Sequence, residues 1–301
     1  MKKIFSCFII IFTFFNALGQ EKLAFYEDSL KQLGTVFTND SIEDHRLKAN
    51  YTFIQTLVTA LKEKNSYSYP FSNLSSFVSI KKSDDNKFRI ITWFTLTDGG
   101  ECRFYGAIQM NNPQKLELYP LVDNSQNLKL ALSLTDSTLK ANQWLGAVYY
   151  HIIPVTNIKE PYYLLFGWKG KSAETSSKVI ETLSFVDGKP SFGKAVLQNQ
   201  PKSNSFHKRI IFDYTKEASM LLRYDKEENM IIYDHLVPLN EANGPLSVYA
   251  PDLSYDGLKF KSGKWYFIEN IKVKNLPNEE DDFFIDPSKD VQNTNPVIKE
   301  H

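Results

Sequence analysis

The sequence predicts a mainly β protein in which an N-terminal helical hairpin precedes a large antiparallel meander, folded as a sandwich or a curled sheet. Residues 20–65 carry apolar side chains at helical spacing. After Ser66, β-branched and aromatic residues dominate in runs of about eight. Short clusters of Gly, Asp, Asn, Lys and Pro separate these runs. Since few of the separating segments are long enough for a crossover helix, parallel pairing is disfavoured.

The first 19 residues, MKKIFSCFIIIFTFFNALG, have the layout of a secretory signal peptide. Two lysines precede the apolar run, and Ala17 and Gly19 are the small residues before the predicted cleavage at Gln20. The run is about a dozen residues long, whereas a helix that crosses a bilayer needs roughly 20. We therefore expect an exported chain, periplasmic or extracellular, with no transmembrane segment after cleavage.

The composition of the mature chain excludes one class of partner. Removing residues 1–19 leaves 35 − 2 = 33 basic against 35 acidic side chains, a formal charge of 33 − 35 = −2. Because no basic field exists to gather nucleic acid, we expect no nucleic-acid partner. Of the two cysteines only Cys102 remains, so no intrachain disulfide can form and the apolar core must stabilise the fold.

Residues 20–65 form the predicted helical region. From Asp40 to Lys64 one helical stripe is apolar, with Asp40 and Glu43 placed to form a capping box. A weaker helix is predicted from Glu21 to Leu33, ending near Gly34. The residues of the predicted buried stripe are Leu47, Tyr51, Ile54, Val58 and Leu61.

Residues 66–276 form the predicted antiparallel β domain, whose clearest hairpin is FRIITWFTLT, DGGE, CRFYGAIQM. A two-residue turn at Gly99 and Gly100 would make paired positions sum to 199, so that Trp93 lies opposite Gly106. No fixed repeat is visible, which favours a sandwich or curled meander over a propeller. The acidic residues 277–301 are predicted to be a partly disordered tail.

Several motifs between Gln143 and Asn270 resemble an uncharacterised family of secreted proteins from the Bacteroidetes group. They are QWLGAVYYHIIP, YYLLFGWKG, KVIETLSF, KRIIFDYTKEASMLLRYD, MIIYDHLVP and PDLSYDGLKFKSGKWYFIEN. The order of the motifs carries the resemblance, which covers roughly half of the mature chain. It implies export and a β-rich domain, and it brings no activity and no catalytic residues.

The stretch APDLSYDG contains the spacing of a calcium loop. Asp252, Ser254 and Asp256 offer side-chain oxygens at positions one, three and five, and Gly257 follows at position six. Position twelve, which is glutamate in an EF-hand, is Gly263, so an ion would need another acid such as Asp234 or Glu269. The alternative is that the two aspartates form consecutive turns with Gly257 at positive φ. Calcium is therefore the one cofactor that a motif suggests, and no other cofactor is expected.

Carboxylates at the ends of strands are the candidates for acid and base catalysis, as in glycoside hydrolysis. Asp234 and His235 are the most interesting pair because they lie within the apolar run MIIYDHLVP, but alternation along a strand places them on opposite faces. The other acids considered are Asp98, Glu101, Asp213, Asp225 and Glu269. Most of these have lysine or arginine as neighbours, which is typical of solvated strand ends.

Aromatic residues are unusually numerous, with 16 Tyr, 22 Phe and 4 Trp in 301 residues. In a β protein most aromatic rings pack in the core or pair across strands. If some of them form an exposed platform that stacks on sugars or receives a protein, we expect Trp144, Trp168 and Trp265 to form it.

Together these patterns predict a secreted, envelope-associated protein that is a non-catalytic binding or structural module. Its partner would be an envelope protein or a polysaccharide. The alternative is a hydrolase that acts on an envelope or extracellular polymer through two carboxylates. A deep cleft lined by convergent acids would favour the hydrolase.

Overall fold

The computed structural model describes residues 2–128, 134–172, 174–239 and 248–272. Within these ranges the chain forms two long N-terminal helices followed by three antiparallel sheets, so the mainly β fold class with an N-terminal helical hairpin is confirmed. The predicted tail, 277–301, lies outside the described residues. In the described part of the chain, no helix combines the length and the apolar character needed to span a membrane.

The two long helices are α1, Lys2–Asn39, and α2, Glu43–Lys62. Helix α1 includes the predicted signal peptide and continues past the predicted end near Gly34, so that prediction is wrong. A Cβ on Gly34 would lie 2.7 Å from the ring of Phe77. The glycine therefore allows the helix to pass close to the body of the protein rather than ending it.

The buried face of α2 is rotated from the predicted stripe, and Tyr51 is 64% exposed. Arg46 is buried because its guanidinium donates to the backbone oxygens of Leu96 and Asp40 and to the carboxylate of Asp98. Asn50 is buried because it accepts a hydrogen bond from the indole of Trp93 at 2.7 Å. The buried residues of α2 are Arg46, Ala49, Asn50, Phe53, Leu57, Ala60 and Leu61.

The predicted capping box at the start of α2 does not form. Ile42 occupies the N-cap position, and its N–H donates to Asp40 Oδ1 at 2.8 Å. Glu43 instead accepts the backbone N–H of Asp98 at 2.7 Å, in the turn of a β-hairpin. The helix start is thus joined to the first sheet by side-chain hydrogen bonds.

The strands form three sheets, and every pair of neighbouring strands is antiparallel. The first sheet has the order β1-β2-β3-β4, with Ser79–Lys82, Phe88–Leu96, Cys102–Met110 and Leu118–Val122. The second has the order β5-β9-β8-β7-β6, with β10 also paired to β8. In chain order, its strands are β5, Leu139–Lys140; β6, Val148–Val155; β7, Tyr162–Gly170; β8, Thr175–Val186; β9, Lys189–Phe192; and β10, Arg209–Thr215. The third has the order β11-β12-β13-β14, with Leu222–Asp225, Met230–Pro238, Tyr249–Lys261 and Lys264–Ile268. A short helix, α3, spans Ser125–Leu128.

The first sheet lies between the helices and the second sheet, which explains why both faces of β2 are apolar. Ile91 and Trp93 belong to the cluster formed with the helices, whereas Ile90 belongs to the main core of the β domain. This division follows the alternation of side chains along a strand. The second sheet is the central layer, and nearly all of β7 is buried.

The β2–β3 hairpin pairs one position away from the predicted register. Leu96 pairs with Cys102 and Thr92 with Gly106, so paired positions sum to 198, not 199. Gly100, at φ 75°, follows a turn in which its N–H donates to the oxygen of Thr97. Residues 98–100 therefore form a three-residue loop, and its last residue, Gly100, is in the left-handed region. Trp93 therefore stacks on Tyr105, with ring centres 5.8 Å apart, instead of covering Gly106.

Candidate functional site

An open cleft of about 450 Å³ lies where the beginning of β3, the end of β4 and the end of β7 meet. Three stretches line it: 101–105, 121–125 with Asn127, and 169–171. We call this feature the β3–β7 cleft. Its apolar lining residues include Phe104 and Leu121, which are almost fully buried, and Val122, which is 52% exposed, whereas most of the remaining lining residues are polar or charged.

Asp123 fixes one wall of the β3–β7 cleft. Its Oδ1 accepts the N–H of Ser125 at 2.9 Å, and its Oδ2 accepts the N–H of Phe104 at 3.2 Å. Gly146, at φ 74°, passes so close that a Cβ there would lie 2.7 Å from the Asp123 carboxyl carbon. Because both carboxylate oxygens bind backbone groups, the main role of Asp123 is to hold β4 against β3.

Lys169 brings a buried positive charge to the same part of the lining, since it and Asp123 both lie next to Gly146. Its ammonium donates to the backbone oxygens of Leu145 at 2.9 Å and Gly146 at 3.1 Å. It also lies 4.5 Å from the centre of the Phe104 ring, within the range of a cation–π interaction. The side chain is therefore held in one position by several contacts.

The rim of the cleft carries two exposed cations. Arg103 lies 3.4 Å from a carboxylate oxygen of Glu43, and its side chain is 50% exposed. Lys171 lies 2.5 Å from Asp213, and both of these side chains are more than 40% exposed. Ion pairs this exposed contribute little to stability, because water screens them.

The stretch APDLSYDG proves to be a bulge within strand β13. Asp234 pairs with Tyr255 but Leu236 pairs with Pro251, so residues 252–254 loop out opposite His235. The extra residues place Leu253 at φ 71° with its side chain 88% exposed. The predicted positive φ at Gly257 is wrong: Gly257 is close to the Ile231 oxygen, and any Cβ there would collide with it.

The side-chain oxygens of the bulge bind within the protein. Asp252 Oδ1 accepts both the N–H and the hydroxyl of Ser254, at 3.0 and 2.7 Å. Asp256 is buried, with its Oδ2 at 2.7 Å from His235 Nδ1 and its Oδ1 accepting the N–H of Asn270 at 3.1 Å. Within the described ranges, no three or more His, Cys, Asp or Glu side chains are grouped to hold a metal ion. Calcium binding at Asp252, Ser254 and Asp256 therefore stays a prediction.

Two pKa values near the bulge are shifted. The hydrogen bond to Asp256, together with the charges of Asp256, Asp252 and Glu269, raises the pKa of His235, although partial burial opposes the shift. Burial raises the pKa of Asp234, although its carboxylate accepts the Leu221 N–H at 2.7 Å. His235 thus pairs with Asp256, across the sheet, and not with its neighbour Asp234.

The remaining candidate acids have local partners in different parts of the fold. Asp98 binds Arg46 at 2.8 Å, and Asp213 binds Lys171 and the hydroxyl of Ser177. Asp225 caps the turn after β11 by accepting the Glu228 N–H. Of the predicted acids, Glu101 alone is a lining residue of the β3–β7 cleft.

The three tryptophans predicted to form a stacking surface are buried, with Trp144 0%, Trp168 1% and Trp265 1% exposed. The indole of Trp144 donates to the hydroxyl of Tyr149 at 2.9 Å, and that of Trp265 donates to Tyr162 at 3.0 Å. The prediction that these residues form an exposed platform is therefore wrong, because the layers of the fold bury their rings.

Sequence reasoning missed a buried polar chain in the central sheet. Glu181 and Arg209 are both fully buried and lie 2.7 Å apart as an ion pair. The hydroxyl of Tyr149 donates to the other carboxylate oxygen at 2.6 Å, and burial raises the pKa of that hydroxyl well above its usual range. A charged residue in each of the apolar runs KVIETLSF and KRIIFDY was the signal that could have revealed the pair.

A second cavity, of about 430 Å³, lies between the middle of α1, at residues 19–24, and residues 64–70. Gly19 forms part of its wall, and the predicted cleavage removes Gly19. The β3–β7 cleft does not depend on the predicted signal peptide, so it is the stronger candidate site.

Comparisons with known proteins found no match to this chain among family models, curated proteins or solved structures. The resemblance to a secreted Bacteroidetes family stays a prediction.

Proposed function

We propose that this chain is an exported, envelope-associated binding module and that the β3–β7 cleft holds a segment of an envelope or extracellular polysaccharide. The observation that carries the proposal is the lining of the cleft. Val122 gives the lining an apolar side chain that is 52% exposed, and Asn124, Ser125 and Asn127 bring amide and hydroxyl groups to the same lining.

This lining suits a sugar because a sugar ring has apolar C–H faces and hydroxyl groups that both donate and accept hydrogen bonds. Side-chain amides and hydroxyls also have both capacities. The volume of about 450 Å³ lies within the range of roughly 300–1,000 Å³ that is typical of ligand pockets. The cleft is open to solvent, so a segment of a polymer can reach it.

The same lining supports a binding module over the alternative hydrolase. Hydrolysis of a glycosidic bond by two carboxylates requires both to face the substrate, one of them as the proton donor. Asp123 directs both of its oxygens at backbone N–H groups of the cleft wall. Glu101 is the other carboxylate among the described lining residues, so its one possible acid partner there is Asp123, which hydrogen bonds already hold to the wall.

Export is supported by the sequence of residues 1–19, with its lysines, short apolar run and small residues before Gln20. A binding module that is placed in the envelope would meet polysaccharide at high local concentration. The envelope assignment of the proposal rests on this segment.

A pair of exposed valines provides the test. Val122, on the lip of the cleft, is 52% exposed, and Val186, at the far end of β8, is 57% exposed. Val186 lies ten residues along β8 from Ser176, which pairs with Gly170 of the cleft, a distance of roughly 33 Å. The matched variants are Val122→Trp, which fills the cleft mouth, and Val186→Trp, which does not.

Binding of a panel of neutral and acidic polysaccharides to residues 20–301 would be measured by isothermal titration calorimetry. We expect binding of at least one polysaccharide, a loss of at least about tenfold in affinity for Val122→Trp, and no change for Val186→Trp. Thermal melts check that both variants are folded. The proposal fails if no polysaccharide binds, or if the two variants lose affinity equally.

A further inference from the structure

We infer that the glycan in the β3–β7 cleft is anionic, with carboxylate or sulfate groups on its sugar rings. This inference rests on the proposed function and names the ligand class of the same site. It follows from the positions of the cations in the cleft and from the way its acids are engaged.

Among the residues that the structure describes, three cations line the cleft: Arg103 and Lys171 at the rim, and Lys169 in the wall. Two acids line it, Glu101 and Asp123. Each oxygen of Asp123 accepts a hydrogen bond from a backbone N–H group of the wall, which fixes the carboxylate in place and leaves its negative charge unchanged. The described lining residues therefore carry a formal charge of 3 − 2 = +1.

The rim cations can exchange their partners for a ligand. Arg103 is paired with Glu43 and Lys171 with Asp213, and in each pair the cation is at least 44% exposed. Such pairs are screened by water and are easily exchanged. The guanidinium of Arg103 has a planar fork of donors that fits a carboxylate or a sulfate through two parallel hydrogen bonds.

Lys169 adds a positive charge that is fixed in position within the wall. Its ammonium is fixed by the oxygens of Leu145 and Gly146 and lies over the ring of Phe104. Because the side chain is buried, its field is screened less than that of a surface lysine. A neutral glycan would gain nothing from this field, whereas an anionic glycan would be held in one register along the cleft.

The test compares one sugar backbone in two charge states. Short oligogalacturonate carries a carboxylate on every ring, and its methyl ester keeps the ring and removes the charge. Dextran sulfate and dextran make the same comparison for sulfate. Calorimetry on residues 20–301 measures the four affinities, at low salt and again at high salt.

Three variants locate the effect. Arg103→Gln and Lys171→Gln each remove one rim cation. Lys194→Gln is the matched control, because Lys194 forms a similar surface ion pair, 2.7 Å from Glu160, at the other end of β7. We expect at least one anionic glycan to bind at least about tenfold more tightly than its neutral form, with a preference that shrinks in high salt. We expect each rim variant to reduce that preference and Lys194→Gln to keep it.

The outcomes separate the inference from the proposed function. Equal binding of the charged and neutral forms would overturn the inference and leave the polysaccharide module standing. A charge preference that Lys194→Gln reduces as much as the rim variants do would also overturn it, since the charge would then act from outside the cleft. If none of the four glycans binds, and no other polysaccharide binds either, both proposals fail. Tight binding of one anionic glycan alone supports the inference and identifies the anionic group as carboxylate or sulfate.

Discussion

His235 on β12 and Asp256 on β13 form a hydrogen-bonded pair across the third sheet, with Nδ1 and Oδ2 2.7 Å apart. The pair exists because the bulge at residues 252–254 shifts the register of β13 opposite His235. Asp256 also accepts the N–H of Asn270, so one buried carboxylate joins β12 to the segment that follows β14. Stability should therefore depend on the charge of His235.

The pH dependence of this pair has a definite sign. The hydrogen bond to Asp256 raises the pKa of folded His235 above its ordinary value of about 6.5. A raised pKa stabilises the folded state fully below the unfolded pKa, and this contribution is lost as pH rises through the folded pKa. Relative to His235→Gln, the wild type should be most stabilised at about pH 5, and its advantage should shrink above about pH 6.5.

Urea unfolding at a series of pH values measures this difference. Asp256→Asn is the partner variant, since it removes the carboxylate that raises the pKa of His235. In that background, replacing His235 should no longer produce a pH-dependent change. A difference between wild type and His235→Gln that stays constant across the series would contradict the prediction.

The buried pair of Glu181 and Arg209 should be strongly coupled. Glu181→Gln leaves the guanidinium of Arg209 buried without its counter-charge, which costs about 3–5 kcal/mol of unfolding free energy in comparable cases. Arg209→Met combined with Glu181→Leu removes both charges and should recover much of that loss. Chemical denaturation measures the free energy of unfolding of the wild type, of Glu181→Gln and of the double variant. A double variant less stable than Glu181→Gln would disprove the coupling.

A surface pair is the control for this comparison. Glu160 lies 2.7 Å from Lys194 and is 74% exposed. Since water already solvates such a pair, Glu160→Gln should leave the free energy of unfolding essentially unchanged.

The β2–β3 hairpin offers a test on two adjacent glycines. Gly100 has φ 75°, a conformation that costs a residue with a Cβ roughly 1–2 kcal/mol. Gly99 is outside this region, and a Cβ there would meet only the hydroxyl of Thr97, at 3.7 Å. Gly100→Ala should therefore destabilise the protein by about 1–2 kcal/mol in urea unfolding. Gly99→Ala should have a much smaller effect, and equal effects would refute the three-residue loop.

The fold class could be predicted because it depends on patterns that extend over many residues. The runs of β-branched and aromatic residues after Ser66 and the short separators between them are visible without any structure. The finer errors arose where polar side chains are buried. Arg46 and Asn50 occupy the buried face of α2 through hydrogen bonds to β2 and its hairpin, and no apolar pattern reveals such positions. The register of β2 and β3 depends on whether the loop between them has two or three residues, and the sequence DGGE is compatible with both lengths.

The candidate site could not be predicted, because its parts are distant in the sequence. Arg103, Asp123 and Lys169 come from three different strands or strand ends, and the pairing of layers brings them together. The aromatic prediction failed for a related reason. The composition shows that rings are numerous, but the stacking of three sheets determines that Trp144, Trp168 and Trp265 are all buried.

Calcium should leave the melting temperature unchanged, although Asp252, Ser254 and Asp256 have the spacing of a calcium loop. Both oxygens of Asp256 accept hydrogen bonds from the protein, and Oδ1 of Asp252 accepts two from Ser254. An ion would have to replace these bonds, and the described residues offer no group of three ligands that would compensate. A site occupied at a hundredfold excess of calcium over Kd would stabilise the native state by about 2.7 kcal/mol, a shift of several degrees. Thermal melts of residues 20–301 in chelator and in millimolar calcium, with Asp252→Ala as the control, measure this directly. A rise that Asp252→Ala abolishes would contradict the expectation and show that the bulge rearranges to bind the ion.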